Sequence, residues 1–390
     1  MTEIKIFGAH DERTREQMTR CMQYGSVVGG VLCADGHLGY AQPVGGVIAY
    51  DEHISVSGVG FDIACGNMAV KLDVREQAIA DRVGPILGEI AASVSFGLGR
   101  TNAEKVEHDV FDSPLWREVE PIRQLKGMAR DQLGTVGFGN HYVDLFEDEA
   151  GLVWIGVHFG SRGLGHKTAT AFIKAAGGKD GIDVAPTILH DKSELGTRYI
   201  AAMTLAGQYA YAGREWVVER VRRILCAKLL DTVHNHHNYA WRERHGEREL
   251  WVVRKGATPA FPGQRGFVGG SMGDDAVILK GVESEKAAAS LYSTVHGAGR
   301  VMSRTEAKGK RNRKTGEVLR EGRISPEAMQ AWLRGKGVHL VGGDLDEAPQ
   351  AYRRLTDVLA HHDGTVEIEH RLRPFIVLMA GADVFDPFKD

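Results

Sequence analysis

The stretch Gly58-Val59-Gly60-Phe61-Asp62-Ile63-Ala64-Cys65-Gly66-Asn67 constrains this chain more than any other. Its glycines lack the β-carbons that keep backbone segments apart, so the turn can close tightly enough for Asp62 and Cys65 to face one point. A hard oxygen and a soft sulfur meeting there are good ligands for a borderline divalent metal, and a thiolate can bridge two such ions. The same residues also read as a small buried cysteine beside an aspartate that caps a turn. Histidines elsewhere in the chain bear on that choice.

Glycine is unusually frequent, 49 of 390 residues, and many glycines cluster beside His, Ser or Arg. Such turns can aim backbone N–H groups and side chains at a ligand. With 43% apolar and 25% charged residues the chain can bury a sizeable core. Its net charge of −3 means that a nucleic-acid partner must be held by a local patch. Cys21, Cys33, Cys65 and Cys226 form no CxxC motif and read as reduced thiols. The first residues carry acid early and have no long apolar core, and no window approaches a membrane span; the expectation is a cytoplasmic protein.

Residues 25–50 alternate apolar runs with glycine turns, reading as short strands that feed the Asp62/Cys65 turn, and Met68 to Asp73 reads as the strand leaving it. A helical pattern runs from Val74 to Ser93, where Pro85 can restart it, and another from Ser113 towards Leu133. Gly134 to Leu145 is a glycine turn entering an alternating strand, which places Asn140, Tyr142 and Asp144 on one face and His141 on the other unless a bulge intervenes. Leu152 to Val157 is a buried-type strand ending in His158-Phe159-Gly160-Ser161-Arg162. Periodicity predicts a long helix from Thr197 to Val233 that finishes in His234-Asn235-His236-His237-Asn238. Further helices are expected over Glu283 to Tyr292, from Ser325 to a stop at Gly335, and over Ala348 to His361, with a last strand from Thr365 to Leu378. No repeat and no Pro/Ser-rich linker interrupts the chain. The expected fold is α+β: one domain over residues 1–390, with a mixed β-sheet core surrounded by helices.

Asp62, Cys65, His141, His158 and His237 compete for metal. Each histidine alone reads as structural, but four polar stations, three framed by glycine, are hard to attribute to coincidence. A second cluster is His296-Gly297-Ala298-Gly299-Arg300, with Arg304 close behind. Flanking glycines expose the ring to a bulky partner, the arginines can clamp phosphates, and a neutral imidazole nitrogen can attack phosphorus to give a labile P–N bond. A glycine turn around a buried histidine explains the spacing equally well. The chain has no GxxxxGK[ST] loop and no Lys-x-Asp-Gly motif, so histidine is the better candidate nucleophile if nucleotidyl transfer occurs. Residues 308–323 carry seven Lys or Arg against two Glu, a solvated loop or a basic surface segment that meets a phosphate backbone.

Gly58–Gly66, Gly134–Asp144, His158–Gly165, His237-Asn238, Gly269-Gly270-Ser271-Met272-Gly273, His296–Arg304 and Asp346-Glu347-Ala348-Pro349 stand in an order that resembles the RtcB family of GTP-dependent RNA-splicing ligases. The likeness extends from Asp35-Gly36-His37-Leu38-Gly39 to Leu372-Arg373-Pro374. It implies a large RtcB-like domain that uses two manganese ions and GTP. The implied reaction joins RNA 2′,3′-cyclic phosphate or 3′-phosphate ends to 5′-hydroxyl ends, through a histidine–GMP and an RNA-(3′)pp(5′)G intermediate, in tRNA splicing or RNA repair. Archease enters as an activating partner.

On the same resemblance, Asp62, Cys65 and His237 match the ligands of one metal, and Cys65, His141 and His158 those of the other. His296 matches the histidine that accepts GMP. Asn140, Tyr142, Asp144, Asn238, Ser271 and Tyr352 lie around the guanylate with Gly297, Ala298, Gly299 and Arg300, while Arg162 and Arg304 meet RNA. Two positions depart from the family: Met379 or Ala380 stands where many members carry a lysine that holds guanine, and Asp144 replaces a glutamate. The alternative reading is a dinuclear metallophosphoesterase that processes RNA terminal phosphates without ligation.

Overall fold

The computed structural model describes residues 3–103, 105–312, 315 and 317–381. The fold is α+β. Its largest sheet has eight strands, ordered Arg265–Val268, Ala276–Gly281, Val366–Gly381, Tyr142–Glu147, Leu152–Phe159, Gly66–Arg75, Leu229–His236, with His339–Gly343 alongside Val366–Gly381. All pairings are antiparallel except that last one, so the sheet is mixed. A five-stranded sheet runs Ile4–Ile6, Val27–His37, Val44–Tyr50, Arg248–Lys255, Asn238–His245.

Both faces of the large sheet are covered, and side-chain alternation sorts them. Val70, Val143, Leu145, Ile155 and Val157 pack under the helices Val83–Ser93 and Glu194–Ile224, joining Ile86, Ile90, Val217 and Val221. Their strand neighbours Ala69, Tyr142, Phe146 and Trp154 face the other way, towards Met329 and Leu333 of the helix Pro326–Lys336. This two-sided burial explains why Leu152–Phe159 is apolar almost throughout. The helix Glu194–Ile224 starts at Ser193, whose hydroxyl accepts from Gly196 N–H, and ends near Arg222 and Arg223, which complement its dipole.

Several expected boundaries move. The long helix stops at Ile224 rather than Val233: Cys226 takes a left-handed backbone conformation (φ 51°), and Leu229–His236 becomes a strand paired to Gly66–Leu72. Leu229 is 51% exposed, so the apparent helical period there does not mark a core face. The strand Gly66–Arg75 absorbs Val74, two single 3-10 turns follow, and the next helix is Val83–Ser93. Pro121 cannot donate a helical hydrogen bond and splits the region after Ser113 into Leu115–Glu118 and Ile122–Gln132. The region expected to be helical over Glu283 to Tyr292 shortens to Glu285–Ala289, and that over Ala348 to His361 to a turn at Pro349–Ala351 and the helix Leu355–Ala360. Gly337, left-handed at φ 68°, ends the helix after Ser325, while Gly335 lies inside it. The basic segment contains a hairpin, Gly309–Arg311 with Val318–Glu321; its Arg313 and Lys314 lie outside the described residues.

All four cysteines are free thiols. No helix among the described residues is long and apolar enough to cross a membrane.

Candidate active site

A cavity of about 840 Å³ opens at one end of the large sheet, on the face opposite the helix Glu194–Ile224. Asp62 and Cys65, the two ends of their turn, both line the cavity. Ala64 holds a left-handed conformation (φ 61°), which is costly for a residue with a β-carbon, and its N–H donates to Asn238 O at 2.7 Å. Cys65 O in turn accepts from the N–H groups of His237 (2.8 Å) and Asn238 (3.2 Å). The strand that replaces the end of the expected helix therefore delivers His237 directly beside Cys65.

His158 stands on the cavity face of Leu152–Phe159, across from Tyr142 and Asn67. His141 precedes the strand Tyr142–Glu147, so strand alternation does not govern it, and it faces the cavity together with Tyr142 and Asp144. Two glycines make room. A β-carbon on Gly160 would sit 2.2 Å from Asp62 Oδ1, and one on Gly137 would sit 2.0 Å from His141 Nδ1. No side chain fits at either position without moving a candidate ligand.

The donors converge. Nε2 of His141 and of His158 lie 3.5 and 3.3 Å from Cys65 Sγ, and Asp62 Oδ2 lies 3.0 Å from His141 Nε2. Two sets have all their ligand atoms within 4.8 Å of one another: Cys65, His158, His237 and Asp62, Cys65, His141. Cys65 belongs to both, as a bridging thiolate requires, and its sulfur also has His141 and His158 together against it, while Asp62 lies against His141. His158 Nδ1 donates to Asn140 O at 2.9 Å, leaving Nε2 with its lone pair towards the sulfur. The buried Nδ1 atoms of His141 and His237 have no hydrogen-bond partner. This mixture of converging N, O and S donors fits a divalent metal.

Electrostatics favour the neutral imidazoles that metals need. Burial, reinforced by the charges of neighbouring histidines, pushes His158 and His237 well below the usual histidine range. Burial, with Asp62 adding to it, raises the Cys65 thiol well above its usual value. Burial is the largest influence on Asp62 and opposes its ionisation, yet His141, Cys65 and Arg162 together outweigh it and lower its pKa.

His296 follows the short strand Ser293–Val295, and its ring centre lies 4.9 Å from that of His237. Asp35, fully buried, organises it: one carboxylate oxygen lies 2.6 Å from His296 Nδ1 and accepts the backbone N–H groups of His296 (3.0 Å) and Gly297 (3.3 Å). Burial opposes ionisation of Asp35, but His296 overcomes it and the pKa falls. Nδ1 is therefore the protonated nitrogen, and Nε2, with no partner among the described residues, keeps a lone pair. Asp35 entered the sequence reading only as part of the Asp-Gly-His turn; that glycine-framed polar motif was its one signal.

Asn140, Tyr142, Asp144, Asn238, Ser271, Gly297, Ala298, Gly299, Arg300, Arg304 and Tyr352 all line the cavity. Asn238 is held by Gly256 N–H at 2.7 Å, and Ser271 Oγ donates to Asp274 at 2.6 Å. Asp144 and Tyr142 are each pushed well above their normal ranges by burial, and Asp144 Oδ1 and the Tyr142 hydroxyl have no partner. Met379 lines the cavity beside them. Arg300 donates to Tyr352 OH (2.9 Å) and Asp346 O (2.7 Å), and Arg304 pairs with Asp346 and Glu347. Arg162 is set apart: it donates to Thr135 Oγ1 and Gly97 O beneath the His141 loop and is not among the residues lining the cavity. Lys255, which motif reading missed, also lines the cavity; its buried ammonium donates to Tyr40 O, and burial lowers its pKa to about 8.

Comparison with known proteins gives a consistent result. Residues 17–122 and 116–380 match the family profile described as tRNA-splicing ligase RtcB. The chain is 31% identical over 376 residues to the RNA-splicing ligase RtcB of Escherichia coli (strain K12), with 88% of each chain covered. It is 29% identical over 446 residues to the tRNA-splicing ligase RtcB of Thermococcus kodakarensis, covering 93% of this chain and 90% of the relative. The tRNA-splicing ligase RtcB of Archaeoglobus fulgidus is 29% identical over 435 residues, covering 90% and 87%.

Proposed function

The chain belongs to the RtcB family of tRNA-splicing ligases, and from that premise we propose that it joins RNA 2′,3′-cyclic phosphate or 3′-phosphate ends to 5′-hydroxyl ends with manganese and GTP. The observation that carries the reading is the placement of His296, oriented by Asp35, beside five metal-type donors that share Cys65. Its matches to ligases favour joining over phosphate removal alone.

Asp62, Cys65, His141, His158 and His237 would hold two manganese ions, which when bound withdraw charge from phosphate oxygens and activate water. His296 supplies the nucleophile: Nε2 attacks the α-phosphorus of GTP, a P–N bond forms, and the bond to pyrophosphate breaks. Asp35 retains the Nδ1 proton and stabilises the positive charge that develops on the ring. The RNA 3′-phosphate next displaces His296 from GMP and restores the neutral imidazole. The 5′-hydroxyl then attacks the 3′-phosphate phosphorus, loses its proton and releases GMP. Asn140, Tyr142, Asp144, Asn238, Ser271 and Tyr352 surround the nucleotide, while Arg300 and Arg304 present guanidinium groups to phosphates in exchange for Glu347. Residues 1–390 act in this proposal as one cytoplasmic catalytic domain with 308–323 as a basic surface, open to activation by an archease-type partner.

The test is incubation of the protein and of His296→Ala with manganese and α-³²P-GTP, followed by denaturing electrophoresis at neutral pH. Wild type is expected to retain label and His296→Ala none; equal labelling of both removes His296 from the reaction.

A further inference from the structure

Behind the candidate metal centre, on the helix side of the sheet, lies a residue that touches neither the cavity nor any proposed ligand side chain. Arg214, in the middle of the helix Glu194–Ile224, is fully buried. Its Nη1 donates to Ala64 O at 3.1 Å and to Phe159 O at 2.6 Å. Its Nη2 donates to His236 Nδ1 at 2.9 Å and its Nε to His234 Nε2 at 2.8 Å. Ala64 precedes Cys65, Phe159 follows His158, and His236 precedes His237. One guanidinium thus grips the chain neighbour of each member of the set Cys65, His158, His237.

The cost of this arrangement is high for packing alone. Among the described residues Arg214 has no direct ion pair; its guanidinium is buried against carbonyls and imidazoles, and the carboxylates of Asp62 and Glu215 act on it only from farther away. Burial lowers its pKa only to about 10, so it remains charged at neutral pH. Strand alternation explains the histidine-rich run: His234 and His236 face Arg214, while Val233 and Asn235 face the opposite side. Tyr211 stacks on His236 with ring centres 3.9 Å apart and holds that acceptor in place.

We propose that Arg214 is the positioning residue of the metal centre: it fixes the backbone spacing of Cys65, His158 and His237 from behind and supplies the buried positive charge that a metal-bound thiolate balances. The inference rests on the reading of these residues as metal ligands. Loss of a group that orients ligands from outside the coordination sphere typically costs 10–100-fold in metal affinity.

The experiment compares full-length wild type, Arg214→Met and Arg214→Lys. Each is titrated with manganese(II) against a competing chelator and with cobalt(II) while the thiolate-to-cobalt absorption is followed; melting of the metal-free proteins is measured in parallel. Wild type is expected to bind both ions. Arg214→Met, if folded, is expected to bind at least tenfold more weakly with altered cobalt absorption, beyond what its change in melting explains. Wild-type affinity and spectrum in folded Arg214→Met overturn the inference. Should Arg214→Met fail to fold, Arg214→Lys decides: it keeps the charge but cannot reach all three segments, so weaker binding supports positioning and unchanged binding overturns it. Failure of wild type itself to bind either ion would instead sink the metal reading on which the inference stands.

Discussion

Asp35 determines which nitrogen His296 offers. With Nδ1–H donated to its carboxylate, the lone pair is on Nε2; an asparagine amide turned to donate would favour the opposite tautomer. Asp35→Asn is therefore expected to slow enzyme–GMP formation by on the order of 10²–10⁴-fold with little loss of nucleotide binding, measured by single-turnover labelling. Among the described residues Asp144 is buried with no cation paired to it, and Met379 lines the cavity with an apolar side chain. Selectivity for GTP over ATP should be weak, and Met379→Lys should raise the labelling ratio by roughly tenfold. Gly160→Ala would drive its methyl into Asp62, so it is expected to reduce bound manganese below wild type in elemental analysis while the protein stays folded. At this scale the sequence was informative where chemistry demands rare pairings. Asp62, Cys65, His141, His158 and His296 stand out against glycine, and His237 stands in a histidine-rich run. Asp35, Lys255 and Arg214 did not, because a lone charged residue in an ordinary strand or helix looks like a solvated surface position until burial is known.

Secondary-structure elements were legible where burial produces an apolar run and blurred where tertiary pairing overrides local preference. Leu152–Phe159 and Val366–Gly381 follow from their apolar runs. Leu229–His236 did not, since helical spacing continues past Ile224 and only an available partner in Gly66–Leu72 makes a strand the better outcome. The turn between Tyr142–Glu147 and Leu152–Phe159 gives an element-level prediction. Asp148 accepts from Ala150 N–H and Leu152 N–H at 3.0 Å each, from Trp154 Nε1 at 3.1 Å, and pairs with Lys71 at 2.8 Å. Burial opposes its ionisation, but these partners prevail and lower its pKa from 3.8 to about 2. Because the folded value is depressed, the stabilisation is full above pH 3.8 and disappears as pH falls through about 2. Asp148→Asn should cost about 2 kcal/mol at pH 7 and much less near pH 2, read from urea unfolding at both pH values.

For the molecule as a whole, a net charge of −3 leaves RNA attraction to local features. The hairpin at Gly309–Glu321 exposes Lys310 and Arg320 opposite one another, whereas Lys308 and Arg323 already pair with Asp344 and Glu306. Charge reversal at Lys310 and Arg320 should weaken RNA binding most at low salt and reduce the log–log salt slope by roughly 0.7 per lost contact, measured by filter binding; an unchanged slope would return the hairpin to ordinary surface. The α+β class and mixed sheet were readable from the alternation of strand and helix patterns, whereas strand order was not, because sequence does not show that the last strand takes a central place.

That last strand carries a consequence for how the protein is made. Val366–Gly381 lies between Ala276–Gly281 and Tyr142–Glu147, and it brings Val377 and Met379 to the cavity wall. A chain emerging from the ribosome has both flanking strands in hand long before the piece that joins them. The sheet therefore stays split, and the cavity unwalled on that side, until residues 366–381 have been made and have inserted between their two partners.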